Sequence, residues 1–258
     1  MTLVWRPGNN AITDPDALIY IDKVEKADGQ NLEYDVAKAI NDFVVGCKLD
    51  GIWSAIKASC ILAGARTLSG ALIPLAGTAP NRFGTEGGWN YNRKTGLQGN
   101  GTDNYLNSNR NNNDDPQNSK HLALYPSSLG AASKALIGST FAVGSSTIYR
   151  SGTLANTLFR ANNQTAVTET TPLNASSIVG VSRAASGSIN IRYNQTTFSR
   201  SSTSETPTSG TILVFNETGA SFHTDARLAF YSIGESLDLA KLDTRVSALI
   251  TAIGAAIP

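Results

Sequence analysis

Three aromatic residues in a Gly- and Asn-rich stretch are the best candidates for ligand chemistry in this sequence. Trp89 and Tyr91 precede the segment TGLQGNGTDNYL, and Tyr105 lies within it. An exposed ring can stack on the apolar face of a sugar while neighbouring amides bond its hydroxyls. The alternative is that Trp89 and Tyr91 hold a long loop against the folded chain or a neighbouring subunit, and the sequence favours this alternative. The three residues are therefore candidate ligand-binding residues.

The carboxylates do not form a catalytic pattern. A glycoside hydrolase needs two carboxyl groups at a fixed separation, which on a strand would be acids two or four residues apart. Residues 127–224 contain no Asp, and Glu169, Glu205 and Glu217 each stand alone among Ser and Thr. The chain has only two histidines, and neither a G-x-S-x-G elbow nor a P-loop occurs. The sequence therefore predicts a protein that is not an enzyme.

No metal site is predicted, although calcium is left open. Its oxygen ligands could come from a hydrophilic run whose spacing matches no EF-hand: Asp103, Asn104, Asn107, Asn109, Asn111, Asp114 and Asp115. An Asn-rich loop can also satisfy its own backbone through Asx-turns. Cys47 and Cys60 lie in apolar sequence without a nearby His, which favours small buried thiols over a disulfide or a zinc site.

Charge and hydropathy narrow the classes of partner. The 21 basic and 20 acidic residues give a net charge of +1, which argues against nucleic acid because phosphate binding depends on a basic surface. The longest apolar stretches are far shorter than the roughly 20 residues of a membrane span, so no membrane insertion is expected. The opening MTLVWR reaches a charge without the apolar segment of a secretory signal. We therefore expect the protein to fold in a cytosol.

The first part of the chain has the periodicity of helices. Thr13 followed three residues later by Asp16 predicts a capped first helix. Asn31 is predicted to cap a second helix, whose apolar residues recur at steps of three and four. A short third helix is predicted over residues 49–56. Together these elements form a predicted helical segment, residues 1–58, that would supply assembly contacts.

The remainder, residues 59–258, has the rhythm of an antiparallel β-sandwich. Short apolar runs are separated by Ser, Thr, Asn and Gly clusters, and the segment SINIRY alternates between apolar and polar residues. The strands are predicted at 103–107, 121–125, 140–143, 146–150, 157–161, 165–169, 177–182, 188–193, 211–216 and 226–233. Residues 60–65 and 69–76 suit two buried strands, or a strand and a tight return. The predicted fold class is mainly β, an antiparallel jelly-roll sandwich with an N-terminal helical segment and a C-terminal helix.

The C-terminal helix, predicted at 236–254, carries one apolar stripe. Leu242, Val246, Leu249 and Ile253 belong to this stripe. They could pack on the sheet, or they could meet their own copies around a symmetry axis. These four residues are therefore candidate interface residues of a homo-oligomer.

The order of the elements resembles the laminin-G-like or concanavalin-A-like lectin fold. Three segments carry the likeness: TGLQGNGTDNYL, SINIRY and LAFYSIGESLDL. The resemblance implies a lectin-like sandwich, but such a scaffold hosts many functions.

A second resemblance extends over nearly the whole chain. The segment from ADGQNLEYDVAKAINDF to ARTLSGALIPLAG, followed by YNRKTGLQGNGTDNYLNSNRNNNDDPQNSKH, is similar to a family of phage virion proteins, notably from phages of photosynthetic bacteria. It implies a tail-fibre or capsid-surface decoration component in the virion, assembled in the host cytoplasm, with other virion proteins as partners. By analogy with fibres and decorations, the homo-oligomer would be a trimer.

These observations lead to two expectations of function. The leading one is a non-enzymatic virion structural protein, either a fibre or a capsid-surface decoration. The alternative is a carbohydrate-binding host-adhesion module of a tail fibre, which would recognise a glycan on the host surface.

Overall fold

The computed structural model describes residues 12–131, 134–140, 142–152, 156–218 and 221–258. The opening MTLVWR and the rest of residues 1–11 of the predicted helical segment lie outside this part. The helices are α1 (Pro15–Asp28), α2 (Tyr34–Leu49), α3 (Leu68–Ala71) and α4 (Leu239–Ala256), with 3₁₀ turns at Trp53–Ala55, Glu86–Gly88 and Asn112–Asp114.

The two predicted front helices exist, but their predicted caps are wrong. Asp14, not Thr13, caps α1 by accepting hydrogen bonds from the backbone N–H groups of Asp16 and Ala17. The helix α2 begins after Glu33, whose side chain does not cap it because the carboxylate pairs with Arg93 (2.6 Å). The cap of α1 is thus one residue later than predicted, and α2 begins without a capping side chain.

The predicted third helix is also wrong. The helix α2 ends at Leu49, which is 80 % exposed, and Gly51 follows with a φ of +72°. A left-handed residue cannot continue a right-handed helix, and glycine adopts this conformation without a steric penalty. A single 3₁₀ turn, Trp53–Ala55, then leads into the first strand.

The described strands form two antiparallel sheets. The strands are β1 (Ile56–Ile61), β2 (Asn81–Phe83), β3 (Asn90–Asn92), β4 (Gly96–Gln98), β5 (Tyr105–Asn111), β6 (Lys120–Ser128), β7 (Lys134–Gly138), β8 (Ser146–Arg150), β9 (Thr157–Ala161), β10 (Val167–Glu169), β11 (Val179–Ala185), β12 (Ser188–Tyr193), β13 (Thr196–Ser201), β14 (Thr211–Val214) and β15 (Arg227–Gly234). The first sheet has the order β13-β12-β11-β6-β15-β4-β3, with β1 also paired to β15. The second sheet has the order β10-β9-β8-β7-β14-β5-β2.

Two apolar cores divide the chain into three layers. Successive side chains of a strand point to opposite faces, and in β6 both faces are buried. Leu122 and Leu124 belong to the core between the two sheets, whereas Ala123 and Tyr125 belong to a second core with the helices. The first sheet is therefore the middle layer, between the helices and the second sheet.

The helix layer uses the apolar stripe of α4 as core. Leu242, Val246, Leu249 and Ile253 are at most 2 % exposed, and they lie in one cluster with residues of α1 and α2. Their side chains therefore pack within the chain, which is one of the two alternatives for the stripe, and a contact between copies stays a prediction. Beside this stripe, Arg245 pairs with Asp50 just after α2 (2.7 Å).

The predicted fold class is confirmed: a mainly β, antiparallel sandwich of the lectin-like jelly-roll kind with N-terminal helices and a C-terminal helix. The predicted strand over 140–143 includes Phe141, which lies outside the described residues, and the structure places β7 at Lys134–Gly138 instead. Within 69–76, the short helix α3 takes the place of a second strand. The division of the chain at residue 58 stays a prediction.

Cys47 and Cys60 are free and buried. Burial raises the pKa of both thiols to about 12, so they remain protonated and unreactive near neutral pH. Among the described residues, the helices are all too short or too polar to cross a membrane.

Candidate ligand-binding cleft

An aromatic pair stands on the outer face of the second sheet. In β5, Leu106 is buried in the sandwich core, so its neighbour Tyr105 points to the opposite face. The strands β2 and β5 pair antiparallel with Phe83 opposite Tyr105, and the two rings stack with centroids 5.0 Å apart at an interplanar angle of 6°. Phe83 is 42 % exposed. Cross-strand register thus builds a partly exposed apolar platform, which we call the aromatic pair.

A cleft of about 450 Å³ begins beside the aromatic pair and extends across β14. Its lining combines one ring of the pair, one apolar side chain, and amide, hydroxyl, carboxyl and imidazole groups. The lining residues are Tyr105, Asn107, Thr211, Leu213, Asn216, Glu217, Thr218, Ser221 and His223. Its size and its mixture of apolar and polar groups are those of a site for a small ligand.

The shape of the cleft depends on a turn directly after β14. Phe215 has a φ of +71° and a fully buried side chain, and its carbonyl accepts a hydrogen bond from the N–H of Thr224 (2.9 Å). The chain therefore leaves the sheet and returns, which brings His223 beside Asn216 (Nε2 to Nδ2, 3.1 Å). A non-glycine residue in this conformation is strained and persists only where packing fixes it.

Glu217 is a buried carboxylate within the cleft lining. Its side chain is 0 % exposed, and Oε2 accepts a hydrogen bond from the Thr147 hydroxyl (3.0 Å). Among the described residues, no donor reaches Oε1. Burial raises the pKa of this carboxyl, while the hydrogen bond from Thr147 and the charge of Arg160 partly oppose that rise. A buried acceptor without a hydrogen-bond partner destabilises the folded state, so Oε1 of Glu217 is a candidate to accept a hydrogen bond from a ligand.

His223 completes the far side of the cleft. Its ring centroid lies 5.8 Å from that of Tyr105, and its Nδ1 is buried without a hydrogen-bond partner in the described part of the chain. Burial lowers the pKa of His223, the negative charge of Asp103 opposes this, and the positive charge of Lys134 adds to it. The ring is therefore neutral near pH 7 and offers hydrogen bonds rather than a positive charge.

The structure separates the three aromatic residues predicted to bind a ligand. Tyr105 lines the cleft. Tyr91 lies in β3 of the first sheet, donates its hydroxyl to the carbonyl of Ala65 (2.7 Å) and has a pKa raised by burial. Trp89 is half-buried and packs edge-on against Phe215 (5.5 Å). Tyr91 thus holds the loop, and Trp89 supports the turn that shapes the cleft.

Sequence reasoning does not predict most of the cleft and the aromatic pair, including Phe83, Asn216, Glu217 and His223. Phe83 lies in a three-residue strand without its own periodic signal. Glu217 was considered alone and His223 was one of only two histidines, so neither had a sequence neighbour that suggested a site. One signal could have placed Phe83 beside Tyr105. It is the pairing, as two antiparallel strands, of the alternating segment NRF (81–83) with DNYLN (103–107).

Most of the oxygens suggested for calcium accept hydrogen bonds or ion pairs from protein groups, whereas Oδ1 of Asn104 is buried without a partner in the described part of the chain. Asp103 accepts hydrogen bonds from the N–H and hydroxyl of Thr85 (3.0 and 2.8 Å). Asp115 is buried between Lys120 (2.8 Å) and Arg110, and both interactions lower its pKa against the effect of burial. In the described ranges, no three His, Cys, Asp or Glu side chains cluster to hold a metal.

The carboxylates do not assemble into a catalytic pair in the cleft. Glu169 pairs with Arg200 (2.8 Å), and Glu205 accepts a hydrogen bond from the N–H of Gly144 (2.8 Å). Among the described residues that line the cleft, Glu217 is the sole carboxylate. Hydrolysis by an acid and a nucleophile or base would require two.

A second cavity of about 340 Å³ lies near the strands β10 and β13, at the opposite end of both sheets. Its described lining is polar and includes Asn163, Ser202 and Glu205, with no aromatic ring. Without a ring it lacks the large apolar contact surface that the first cleft provides.

Comparisons with known proteins bear on the fold. No protein-family model and no curated protein matches the sequence. The binding domain of botulinum neurotoxin serotype D is similar in structure, with a TM-score of 0.50 and 12 % identity over 75 % of this chain and 51 % of that one. This chain thus corresponds to about half of the toxin domain.

Two weaker similarities were also found. The Trypanosoma rangeli sialidase matches with a TM-score of 0.47 and 10 % identity over 84 % of this chain and 40 % of its own. The binding domain of Paraclostridial mosquitocidal protein 1 matches with a TM-score of 0.45 and 10 % identity over 73 % and 51 %. At these identities the neurotoxin domain establishes a shared fold, and the two weaker matches add no argument.

Proposed function

We propose that this protein is a carbohydrate-binding module whose ligand occupies the cleft beside Phe83 and Tyr105. The observation that carries the proposal is the aromatic pair, stacked at 5.0 Å and partly exposed, next to a cleft rich in amides and hydroxyls. Rings offer the apolar face that a pyranose can stack on. The Asn107 amide can donate to its hydroxyls. The hydroxyl oxygens of Thr211 and Thr218, which donate to Asn111 and to the Thr211 carbonyl, can accept from them.

The proposal is for binding without catalysis. The cleft has a single carboxylate in its described lining, whereas hydrolysis by an acid and a nucleophile or base would require two. The sandwich shares its fold with a toxin domain described as a binding domain. Both facts support a module that holds a glycan through one stacking contact and several hydrogen bonds.

The experiment is a glycan array with wild type, followed by calorimetry on the glycan with the strongest signal. Loss of one aromatic contact removes about 0.5–1.5 kcal/mol, so Tyr105→Ala and Phe83→Ala should each weaken binding by about two- to tenfold. Leu49→Ala is the matched control, because Leu49 is 80 % exposed in the helix layer. Wild-type affinity in both cleft variants would refute the proposed site.

We further propose that the module serves host adhesion within a phage virion, in a tail fibre or a capsid-surface decoration. The support is the sequence resemblance to phage virion proteins, together with a fold suited to binding. Mass spectrometry of purified particles should detect the chain, at few copies for a tail fibre and at many for a decoration. Its absence from purified particles that infect normally would contradict this setting.

A further inference from the structure

Two polar atoms in the lining of the cleft lack hydrogen-bond partners among the described residues. One is Oε1 of Glu217, whose other oxygen is held by Thr147, and the second is Nδ1 of His223. Both atoms are buried, and both residues line the same cleft. Leaving such atoms unpaired destabilises a fold, so a ligand that pairs them gains hydrogen bonds that the described residues do not supply.

The hydrogen bonds around Asn216 decide which of these atoms donates. Its Oδ1 accepts from the N–H of Phe222 (3.2 Å), which leaves its Nδ2 facing Nε2 of His223 (3.1 Å). An amide nitrogen can only donate, so Nε2 of the neutral ring accepts and the ring proton lies on Nδ1. Of the two buried atoms without a partner among the described residues, His223 Nδ1–H is therefore a donor and Glu217 Oε1 is an acceptor.

We propose that Glu217 and His223 determine which sugars the cleft accepts: neutral sugars whose hydroxyls donate to Glu217 and accept from His223, in preference to sugars with a carboxylate at that place. This inference rests on the proposed function. A hydroxyl can both donate and accept, whereas a ligand carboxylate can only accept.

The charge of Glu217 supports this preference. A ligand carboxylate next to the Glu217 carboxylate would meet a like charge in a poorly solvated place, where repulsion is strong. The positive charges of Arg160 and Lys134 weaken this repulsion, whereas the negative charge of Asp103 adds to it. Thr147 already satisfies the other Glu217 oxygen, so a hydroxyl donor suits the remaining oxygen best.

The test compares matched pairs of methyl glycosides that differ only at C6: glucoside with glucuronoside, and galactoside with galacturonoside. Affinities are measured by NMR titration at pH 7 for wild type and for Glu217→Gln, which keeps the shape and removes the charge. Wild type should bind a neutral member at least about tenfold more tightly than its acid, since hydrogen bonds to charged groups are the stronger ones. In Glu217→Gln this ratio should fall close to one.

A second variant keeps the test decisive if Glu217→Gln unfolds. Thr147→Val removes the hydroxyl that holds Oε2 but leaves the carboxylate, so the preference for the neutral sugar should persist. Tyr105→Ala should weaken both members of a pair equally and leave the ratio unchanged.

The outcomes separate the two proposals. Binding that depends on Tyr105 but shows equal affinity for both members, or a ratio that Glu217→Gln leaves intact, overturns the inference and leaves the glycan-binding function standing. Wild-type binding to no glycan at all overturns both.

Discussion

The pH dependence of stability should be dominated by one buried histidine of the first sheet. His121 is fully buried, with Nδ1 at 2.6 Å from the carbonyl oxygen of Glu235 and Nε2 at 2.7 Å from the hydroxyl of Ser232. A carbonyl only accepts, so Nδ1 carries the proton and Nε2 accepts from Ser232. Burial opposes a charged ring and lowers the pKa of His121 to about 4.

The sign and size of the effect follow from that pKa. In the unfolded chain the His121 ring has its ordinary pKa of 6.5, whereas in the folded chain its pKa is about 4. Between these values the unfolded chain binds a proton that the folded chain does not bind, so acid favours unfolding. The stability contributed by His121 is complete above pH 6.5 and is lost as the pH falls to about 4. At about 1.4 kcal/mol for each tenfold change in proton affinity, the loss reaches roughly 3 kcal/mol.

The assay is urea unfolding between pH 7 and pH 4 for wild type and His121→Gln. The ion pairs of Asp115 hold its pKa below the usual value of 3.8, so they persist over this range, and the difference between the two proteins isolates the histidine. The variant should lose markedly less stability over this range. An NMR titration of the ring in wild type gives an independent measure. A ring that titrates near pH 6.5, or equal pH dependence in both proteins, would refute the reasoning.

Three further predictions concern single positions. Gly96→Ala should destabilise the fold by about 1–3 kcal/mol in urea unfolding, since φ is +103° and a Cβ would lie 2.1 Å from the Leu228 carbonyl; unchanged stability would contradict this. Leu242→Ala should lower the free energy of unfolding by about 2–5 kcal/mol, because it leaves a cavity in the buried core. The size measured by light scattering should not change, and dissociation of an oligomer would instead support a contact between copies. Tyr91→Phe should lose about 1 kcal/mol with its hydrogen bond to Ala65 and keep glycan affinity; a weaker affinity would return Tyr91 to the site.

The sandwich could be predicted because its signals are local. The strand β12, with Ile189, Ile191 and Tyr193 buried, alternates as a sheet with one solvent-facing side should. The helix layer could not be placed in this way. Its position depends on small residues of the middle sheet, such as Gly180, where a Cβ would lie 2.9 Å from Leu239. A small residue gives no hydrophobic periodicity, so the sequence does not predict which face of the sheet the helices cover.

The site was predicted only in part for a similar reason. Tyr105 was identified because its neighbours are rich in Gly and Asn. Phe83 joins it through strand pairing, and Glu217 and His223 join it through the turn at Phe215, more than 100 residues later in the chain. Trp89 and Tyr91 are close to Tyr105 in sequence but support the fold. Proximity along the chain was therefore a poor guide to proximity in the cleft.

The most direct test of the glycan-binding account is NMR mapping of the contact surface. Assigned amide and aromatic resonances are followed while the strongest glycan from the array is added. The account predicts that the largest shifts occur at Phe83, Tyr105 and His223, with little change at Tyr91. Shifts centred instead on the polar cavity around Ser202, or on the helix layer, would contradict it.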